Sequence, residues 1–218
     1  MDIFANASET PTDLCFIMNY HGSDKGSPDN NSWHNYTRYY NELFKNVRNE
    51  QLNIFELGIG SINPNIVSNM GPNGKPGASL RGWKQYFSNS QIYGGDIDIN
   101  ILFNEERIKT FYCDQTNGDS IKEMWNNPEV SSKGFDIIID DAIHIFDYNM
   151  NFFENSFRKL NVGGVFIIED INTHSVDLWN SKLFDLEIRN PNMSFRFYTI
   201  PNEKNPHDNR LIIAKREY

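Results

Sequence analysis

"DIIIDDAIH", residues 136 to 144, joins a run of isoleucines to two adjacent carboxylates and a histidine. Consecutive β-branched residues are typical of a strand that is buried on both faces of a parallel sheet. At the end of such a strand, Asp140 and Asp141 would repel each other unless a cation or several N–H donors lay beside them. The rest of the chain must show whether other strands bring such partners to this place.

Similar β-rich runs recur along the chain, with room for helices between them. The strand candidates are residues 53–58, 91–97, 108–113, 135–140 and 164–170. The helix candidates are residues 78–87, 120–125 and 146–160. Residues 161–164 (NVGG) are expected to form the turn that ends the last helix. This alternation predicts right-handed crossovers and a Rossmann-like, doubly wound α/β sheet.

The two ends of the chain follow different patterns. Residues 194–200 and 210–216 are strand-like, and the segment between them is too short for a helix. They are expected to form an antiparallel hairpin at the edge of a mainly parallel sheet. Residues 34–47 have the pattern of an amphipathic helix, whose apolar side carries Tyr36, Tyr39, Tyr40, Leu43 and Phe44. We expect these tyrosines to pack against the core rather than to stack on a sugar. We therefore expect an N-terminal arm and helix (1–50) that packs on a catalytic domain (51–218).

Composition narrows the range of partners. A chain of 218 residues with 39% hydrophobic residues suits one folded domain. Its net charge of −9 disfavours nucleic acid, which needs a basic face. Cys15 and Cys113 form no disulfide framework and no zinc motif, and residues 1–13 do not have the pattern of a signal peptide. We expect a cytoplasmic protein without a membrane span, and a homo-oligomer is left open.

A glycine-rich turn follows the first predicted strand. "ELGIGSIN" (56–63) matches only part of the dinucleotide fingerprint G-x-G-x-x-G, because Asn63 takes the place of the third glycine. Gly58 and Gly60 alone are equally compatible with a plain tight turn. The long, Pro- and Gly-rich segment 61–77 delays the helix, and loops of this length are usually functional or disordered.

Acidic residues end the next two strands. Asp96 follows the second strand, where a carboxylate commonly binds ribose hydroxyls, and Asp114 follows the third, where an adenine would lie. Together with the glycine turn they predict an adenosine pocket. Because the pyrophosphate cradle is incomplete, S-adenosylmethionine fits this pocket better than NAD does.

A set of short motifs between about residue 20 and residue 172 carries a family resemblance: GSDKG (22–26), HNYTRYYNELF (34–44), ELGIG (56–60), GASLRGW (77–83), YGGDID (93–98), CDQ (113–115), IDDAIH (139–144) and GGVFIIEDI (163–171). On these motifs the chain resembles the class I S-adenosylmethionine-dependent methyltransferases. Within that class it is similar to the metal-dependent sugar O-methyltransferases of the macrolide type. Ala142 and Ile143 stand where that family usually has Gly-Ser.

The resemblance and the strand-end pattern together predict the cofactor contacts. The residues expected to bind S-adenosylmethionine are Glu56, Gly58, Gly60, Ser79, Asp96, Asp98, Asp114, Gln115 and Asp140.

A carboxylate cluster is expected where the fourth and fifth strands end side by side. That arrangement brings Asp140 and Asp141 next to Glu169 and Asp170, and such a cluster requires a divalent cation or protonation. Oxygen ligands suit Mg²⁺, Mn²⁺ or Ca²⁺ better than zinc. The family resemblance implies that Asp141, Glu169 and Asp170 hold the metal and that His144 is the general base.

Several alternatives remain open at this stage. The two acidic pairs could cap the helices that follow them, and His144 could be a structural residue in a first helical turn. His174 is a second candidate for the base. His21, Asp24 and Lys25 resemble the family's pocket-closing segment, but a solvated turn accounts for Asp24 and Lys25 almost as well.

The sequence thus predicts a metal-dependent O-methyltransferase. Its cofactors would be S-adenosylmethionine and Mg²⁺ or Mn²⁺, and its acceptor a small-molecule sugar, a nucleotide sugar or a glycosylated natural product. A catechol-type O-methyltransferase acting on an aromatic diol is the enzymatic alternative. A non-catalytic adenosine-binding module is the other.

Overall fold

One mostly parallel sheet organises the chain. The computed structural model describes residue 7 and residues 10–218, and the described part contains these strands: β1 (Asn53–Leu57), β2 (Gln91–Asp96), β3 (Asn104–Glu105), β4 (Ile108–Tyr112), β5 (Phe135–Asp140), β6 (Leu160–Ile168), β7 (Met193–Thr199) and β8 (Arg210–Arg216). Their order in the sheet is β3-β4-β2-β1-β5-β6-β8-β7. β1, β2, β4, β5 and β6 run parallel, and the short β3 is antiparallel to β4.

Helices cover both faces of the sheet. They are α1 (Asp13–His21), α2 (Tyr36–Phe44), α3 (Ala78–Tyr86), α4 (Gly118–Asn126), α5 (Phe146–Ser156) and α6 (Val176–Arg189). The apolar sides of α1, α2 and α3 share one core cluster with one face of the sheet. Those of α4, α5 and α6 share a second cluster with the other face. Because the sheet is buried on both faces, the central strands are rich in β-branched and aromatic residues.

The predicted α/β class and the C-terminal hairpin are confirmed. β8 pairs antiparallel with both β6 and β7, so the hairpin closes one edge of the sheet. The predicted strands are present, and the apolar side of α2 is buried as expected. α1 and α6 were not predicted, because each leaves large apolar side chains exposed, which blurs the amphipathic pattern. These are Phe16 and Tyr20 in α1, and Leu178, Phe184 and Ile188 in α6.

The prediction for residues 161–164 was wrong. The helix ends at Ser156, and a 3-10 turn (157–159) leads directly into β6, which already includes residues 161–164. The pairing of β6 with β5 shifts its register between Phe135 and Ile137, so residues 161–164, which include Gly163 and Gly164, form an irregularity inside the ladder. Extra residues in one strand of a ladder commonly take this form, and Gly163 adopts the left-handed backbone that it requires.

Strand register aligns the ends of the central strands. Leu57 pairs with Asp140, and Asp140 pairs with Ile168. The residues that follow, Gly58, Asp141 and Glu169, therefore leave the sheet at the same level. This alignment places the carboxyl ends of β1, β5 and β6 around one volume, where ligands of open α/β sheets bind.

The N-terminal segment packs against the first helical layer. Leu14, Met18 and Phe44 lie in the same core cluster as Leu80 and Trp83 of α3. The early part of the predicted arm, residues 1–6, 8 and 9, lies outside the described residues. Across the described chain, none of the helices combines the length and apolar character needed to cross a bilayer.

Candidate active site

A cavity of about 360 Å³ opens at the carboxyl edge of the sheet. Its volume falls within the range of small-molecule sites. One end is lined by Asp96, Asp114 and Gln115, which follow β2 and β4. The other end is lined by Asp141 and His144, which follow β5. The cavity thus connects the predicted adenosine residues with the predicted reaction residues.

The glycine turn after β1 forms the floor of the cavity. Gly58 has a φ of 86° and Gly60 a φ of 89°, a conformation that residues with a side chain rarely adopt. A Cβ on Gly58 would lie 2.0 Å from the carbonyl oxygen of Asp141, so β1 and β5 approach each other here only because this residue is glycine. The turn therefore does more than reverse the chain, since it sets the distance between two strand ends.

The segment 61–77 folds back over the same turn. Its ends are held by hydrogen bonds from Met70 N to Ser61 O (2.8 Å) and from Gly77 N to Ile59 O (2.7 Å). It contributes Ile66 and other side chains to the cavity wall. Of the two expectations for a long loop, function or disorder, the ordered and cavity-lining arrangement favours function.

The ribose-side acids form a short chain of hydrogen bonds. Asp96 accepts from the backbone N–H groups of Ile59 and Asp98, both at 2.9 Å, and it lines the cavity. Asp98 instead accepts from the hydroxyl of Ser61 at 2.6 Å and does not line the cavity in the described structure. Asp96 is thus held in place with its carboxylate beside the glycine turn, while Asp98 anchors the start of the 61–77 segment.

The next strand end combines an acid with a buried amide. Asp114 and Gln115 both line the cavity. The Nε2 of Gln115 donates to both carboxylate oxygens of Asp140 at 2.7 Å, and its Oε1 accepts from Ile143 N at 3.0 Å. Asp140 is fully buried and also accepts from Asn149 at 2.9 Å, so it lies behind the wall rather than in it. Burial raises the pKa of Asp140 to about 7, against the hydrogen bonds from Asn149 and Gln115 that lower it.

Glu56 is also placed behind the cavity. It is fully buried and accepts hydrogen bonds from the hydroxyl of Ser79 and from Trp83 Nε1, the latter at 2.5 Å. Ser79 lines the cavity but Glu56 does not, within the described residues. The predicted cofactor residues therefore divide into a cavity-lining group and a supporting group formed by Glu56, Asp98 and Asp140.

A buried lysine occupies the centre of the carboxylate cluster. Lys25 is 2% exposed, and its Nζ donates to Asp141 Oδ2 and to Glu169 Oε2, each at 2.6 Å. Glu56 lies 3.8 Å from the same nitrogen, and Tyr40 donates to the other oxygen of Glu169 at 2.6 Å. Burial lowers the pKa of Lys25, but attraction to the carboxylates outweighs it and holds that pKa above its usual range. The solvated-turn alternative is therefore wrong for Lys25.

Asp170 is held by a second group of residues. Tyr36 donates to its Oδ1 at 2.7 Å, while His34 Nε2 and His144 Nε2 lie 3.3 Å and 3.7 Å from its Oδ2. Both Asp170 and His144 have φ near +57°, an uncommon backbone for residues with a side chain. Strain of this kind is found most often at functional sites. His34 lies in the HNYTRYYNELF motif (34–44), but no spacing in the sequence marks it as a partner of Asp170.

Neither the acidic pairs nor His144 occupy the alternative helix-capping or helical positions. The residue before α5 is Ile145, and the 3-10 turn after β6 is capped by Asn172, so neither acidic pair caps a helix. His144 precedes α5 rather than lying in its first turn. His174 is exposed and does not line the cavity within the described chain. His21 pairs instead with Gln85, away from the cluster.

The cluster is suited to a divalent cation. Asp141, His144 and Asp170 each offer one ligand atom, and these atoms lie within 4.8 Å of one another. Glu169 differs from the prediction in its surroundings, because both of its oxygens are engaged by Lys25 and Tyr40. The ammonium of Lys25 nevertheless shows that the space between Asp141 and Glu169 stabilises positive charge. The donor set therefore fits a hard cation such as Mg²⁺.

Several curated proteins of similar sequence are named as O-methyltransferases. No protein-family model matches the chain. The chain is 32% identical over 155 residues to the 8-demethyl-8-alpha-L-rhamnosyl tetracenomycin-C 2'-O-methyltransferase of Streptomyces olivaceus, covering 70% of this chain and 36% of that protein. It is 33% identical over 147 residues to the demethylmacrocin O-methyltransferase of Streptomyces fradiae, covering 67% and 34%. The chain thus spans about a third of the length of these curated relatives.

A solved structure shares the fold. It is the MycE methyltransferase of mycinamycin biosynthesis in complex with Mg and SAH, with a TM-score of 0.70 and 24% identity over 95% of this chain and 55% of that one. The chain has the class I methyltransferase fold.

Proposed function

We propose that this class I methyltransferase transfers the methyl group of S-adenosylmethionine to a hydroxyl of a sugar or of a glycosylated small molecule, with a divalent cation as cofactor. The observation that supports the proposal best is the continuous cavity, which runs from the ribose-side acid Asp96 to the cluster of Asp141, His144 and Asp170. Donor and acceptor could therefore meet at one place, which is what methyl transfer requires.

The cofactor end of the cavity supplies polar groups for an adenosine. In our proposal Asp96 accepts from the ribose hydroxyls, Asp114 and Gln115 contact the adenine, and the turn of Gly58 and Gly60 lets the cofactor approach the backbone. Ser79 lines the same cavity. The supporting group, Glu56, Asp98 and Asp140, holds these residues in place from behind the wall.

The reaction end supplies the cation ligands and the base. Asp141 and Asp170 hold the divalent cation in our proposal, with Glu169 as the third carboxylate. Burial raises the pKa of Asp170 to about 7, although the neighbouring His144 lowers it, and a bound cation would favour the charged carboxylate. Magnesium or manganese supplies Lewis acidity that weakens the O–H bond of the acceptor hydroxyl.

His144 is the general base of the proposed reaction. Its Nδ1 is buried and has no hydrogen-bond partner within the described structure, which leaves Nε2 to accept the proton. The same Nε2 lies 3.7 Å from Asp170 Oδ2, so the carboxylate would stabilise the imidazolium that forms. His174, which lies outside the cavity wall, has no comparable position.

A second class of acceptor is also compatible with the cavity. The segment 61–77 lines the cavity with Ile66, Val67 and Met70 as well as with Asn65 and Ser68. The apolar side chains among these would also accommodate an aromatic ring. A catechol-type diol is therefore the second candidate acceptor.

A labelled methyl-transfer assay tests the proposal. The chain is incubated with S-[methyl-³H]adenosylmethionine and a panel of nucleotide sugars, glycosylated macrolides and catechols. We expect transfer to a sugar hydroxyl, loss of transfer in EDTA and recovery with excess Mg²⁺, because the carboxylates need a cation to act on the hydroxyl.

Three outcomes would contradict the proposal. Transfer to the catechols alone would establish the diol alternative. Saturable calorimetric binding of NAD, with no binding of S-adenosylmethionine, would overturn the cofactor assignment. Binding of S-adenosylmethionine without turnover on any acceptor would favour a non-catalytic adenosine-binding module.

A further inference from the structure

Charge is unevenly distributed along the cavity wall. Five carboxylates line it, those of Asp24, Asp96, Asp114, Asp141 and Asp170. A ligand that carries a carboxylate of its own would be repelled here unless a cation of the protein lay close to it. S-adenosylmethionine carries such a carboxylate on its amino-acid part, next to its α-ammonium, so a positive group of the protein beside that carboxylate would favour binding of the proposed cofactor.

Two lysines line the cavity, and they differ in their partners. Lys25 is fully buried and already shared among carboxylates of the cluster. Lys75 is exposed, and among the described residues no carboxylate forms an ion pair with its ammonium. Lys75 is therefore the cation of the described cavity wall that remains available to a ligand.

The position of Lys75 is fixed by the end of the 61–77 segment. Two backbone hydrogen bonds hold this end, from Ala78 N to Lys75 O at 3.0 Å and from Gly77 N to Ile59 O at 2.7 Å. The side chain of Lys75 lies across Gly22, where a Cβ would come within 2.7 Å of Lys75 Cδ and 3.2 Å of its Nζ. Gly22 leads into Ser23, which lines the cavity next to Lys25. The ammonium thus lies beside Gly22, in the N-terminal segment that leads to Lys25.

We propose that Lys75 binds the α-carboxylate of the amino-acid part of S-adenosylmethionine. The assignment rests on the proposed function, because it assumes that the adenosine lies at Asp96 and Asp114. It gives the 61–77 segment a defined role, which is to carry a cation from the β1–α3 connection to the far end of the cofactor. The assignment also explains how a cavity with five carboxylates in its wall can bind a ligand that carries a carboxylate.

Two adenosine compounds separate this role from a general effect on the pocket. S-adenosylhomocysteine contains the amino-acid carboxylate, whereas 5'-methylthioadenosine has the same adenosine and thioether without it. We expect Lys75→Met to weaken the binding of S-adenosylhomocysteine about ten- to a hundredfold in calorimetric titrations. This is the range of a hydrogen bond to a charged group. The affinity for 5'-methylthioadenosine should not change, and Lys75→Arg should restore most of the loss.

The matched control removes a lysine outside the cavity. Lys122 on α4 pairs with Asp119 on the surface, and Lys122→Met should bind both ligands as the parent does. Equal weakening of both ligands by Lys75→Met, or weakening of neither, would overturn the assignment. Unchanged binding of S-adenosylhomocysteine together with a raised KM for a phosphate-bearing acceptor would overturn it in favour of a contact with the acceptor. A parent protein that binds neither ligand would instead overturn the proposed function itself.

Discussion

At the scale of single residues, the two histidines near the cluster can be separated by experiment. We expect His144→Ala to lower the rate of methyl transfer about 10²- to 10⁴-fold, the usual contribution of a general base, with the cofactor still bound. His174→Ala should keep a near-normal rate, because His174 does not line the cavity of the described chain. Single-turnover rates and cofactor titrations of both variants measure this. Full activity of His144→Ala would make His144 a structural residue.

A buried carboxyl group also makes a prediction about pH. The folded-state pKa of Asp140 is about 7, above its unfolded value of roughly 3.9, so the folded protein holds this proton more tightly. The stability contributed by the protonated carboxyl is complete below about pH 4 and is lost as the pH rises through about 7. The free energy of unfolding of the parent should therefore fall with rising pH by an amount on the order of 4 kcal/mol or less because of Asp140, and Asp140→Asn should lack this fall when measured in EDTA and without cofactor.

Urea unfolding at several pH values checks this expectation. Compared with the parent, Asp140→Asn should lose less stability between about pH 4 and pH 7, since the amide has no proton to release in that range. The Asn side chain keeps an oxygen that can accept from Gln115 and Asn149, which limits other effects of the substitution. Identical pH slopes for the two proteins would contradict the raised pKa.

At the scale of elements, the approach of β1 to β5 depends on one glycine. Gly58→Ala would add both a strained φ of 86° and a contact of 2.0 Å with the backbone of Asp141. Gly71→Ala adds comparable strain, with a φ of 71°, but its Cβ meets no atom within 4 Å. Strain alone costs about 1–2 kcal/mol.

We therefore expect Gly71→Ala to lose about that amount of stability in urea unfolding, and Gly58→Ala to lose clearly more. Gly58→Ala should also weaken the binding of S-adenosylmethionine, because the two strand ends that flank the proposed cofactor site would be forced apart. Equal losses of stability in the two variants would show that the close approach of the strands is not needed.

At the scale of the whole molecule, Lys25 connects the N-terminal segment to the sheet. Removing one partner from a buried ion cluster typically costs about 3–5 kcal/mol. We expect Lys25→Met to lose stability on this scale in EDTA. Added Mg²⁺ should stabilise the variant more than the parent, because the ammonium and the cation compete for Asp141 and Glu169.

Urea unfolding with EDTA and with Mg²⁺ measures both effects. Lys45→Met is the matched control, since Lys45 pairs with Glu42 on the surface, where ion pairs contribute roughly 0–1 kcal/mol. If Mg²⁺ stabilises Lys25→Met and the parent equally, then Lys25 does not occupy the position of the cation.

The sequence by itself determined the sheet and the edge at which the site lies. Apolar runs of strand length, separated by helical stretches, allow few topologies, and parallel strands bring their carboxyl ends to one edge. The meeting of Asp141 and Asp170 at neighbouring strand ends follows from that arrangement alone. Local periodicity was a weaker guide where it was blurred by exposed apolar residues, as in α6, or by a ladder irregularity, as at residues 161–164.

Only the tertiary structure decided which residues surround the acids. Lys25, His34, Tyr36 and Tyr40 reach Asp141, Glu169 and Asp170 from positions more than 100 residues earlier in the chain. Their side chains meet the cluster because α1 and α2 pack on α3 in one particular orientation. No spacing in the sequence encodes that orientation, since it results from the fit of many apolar side chains at once.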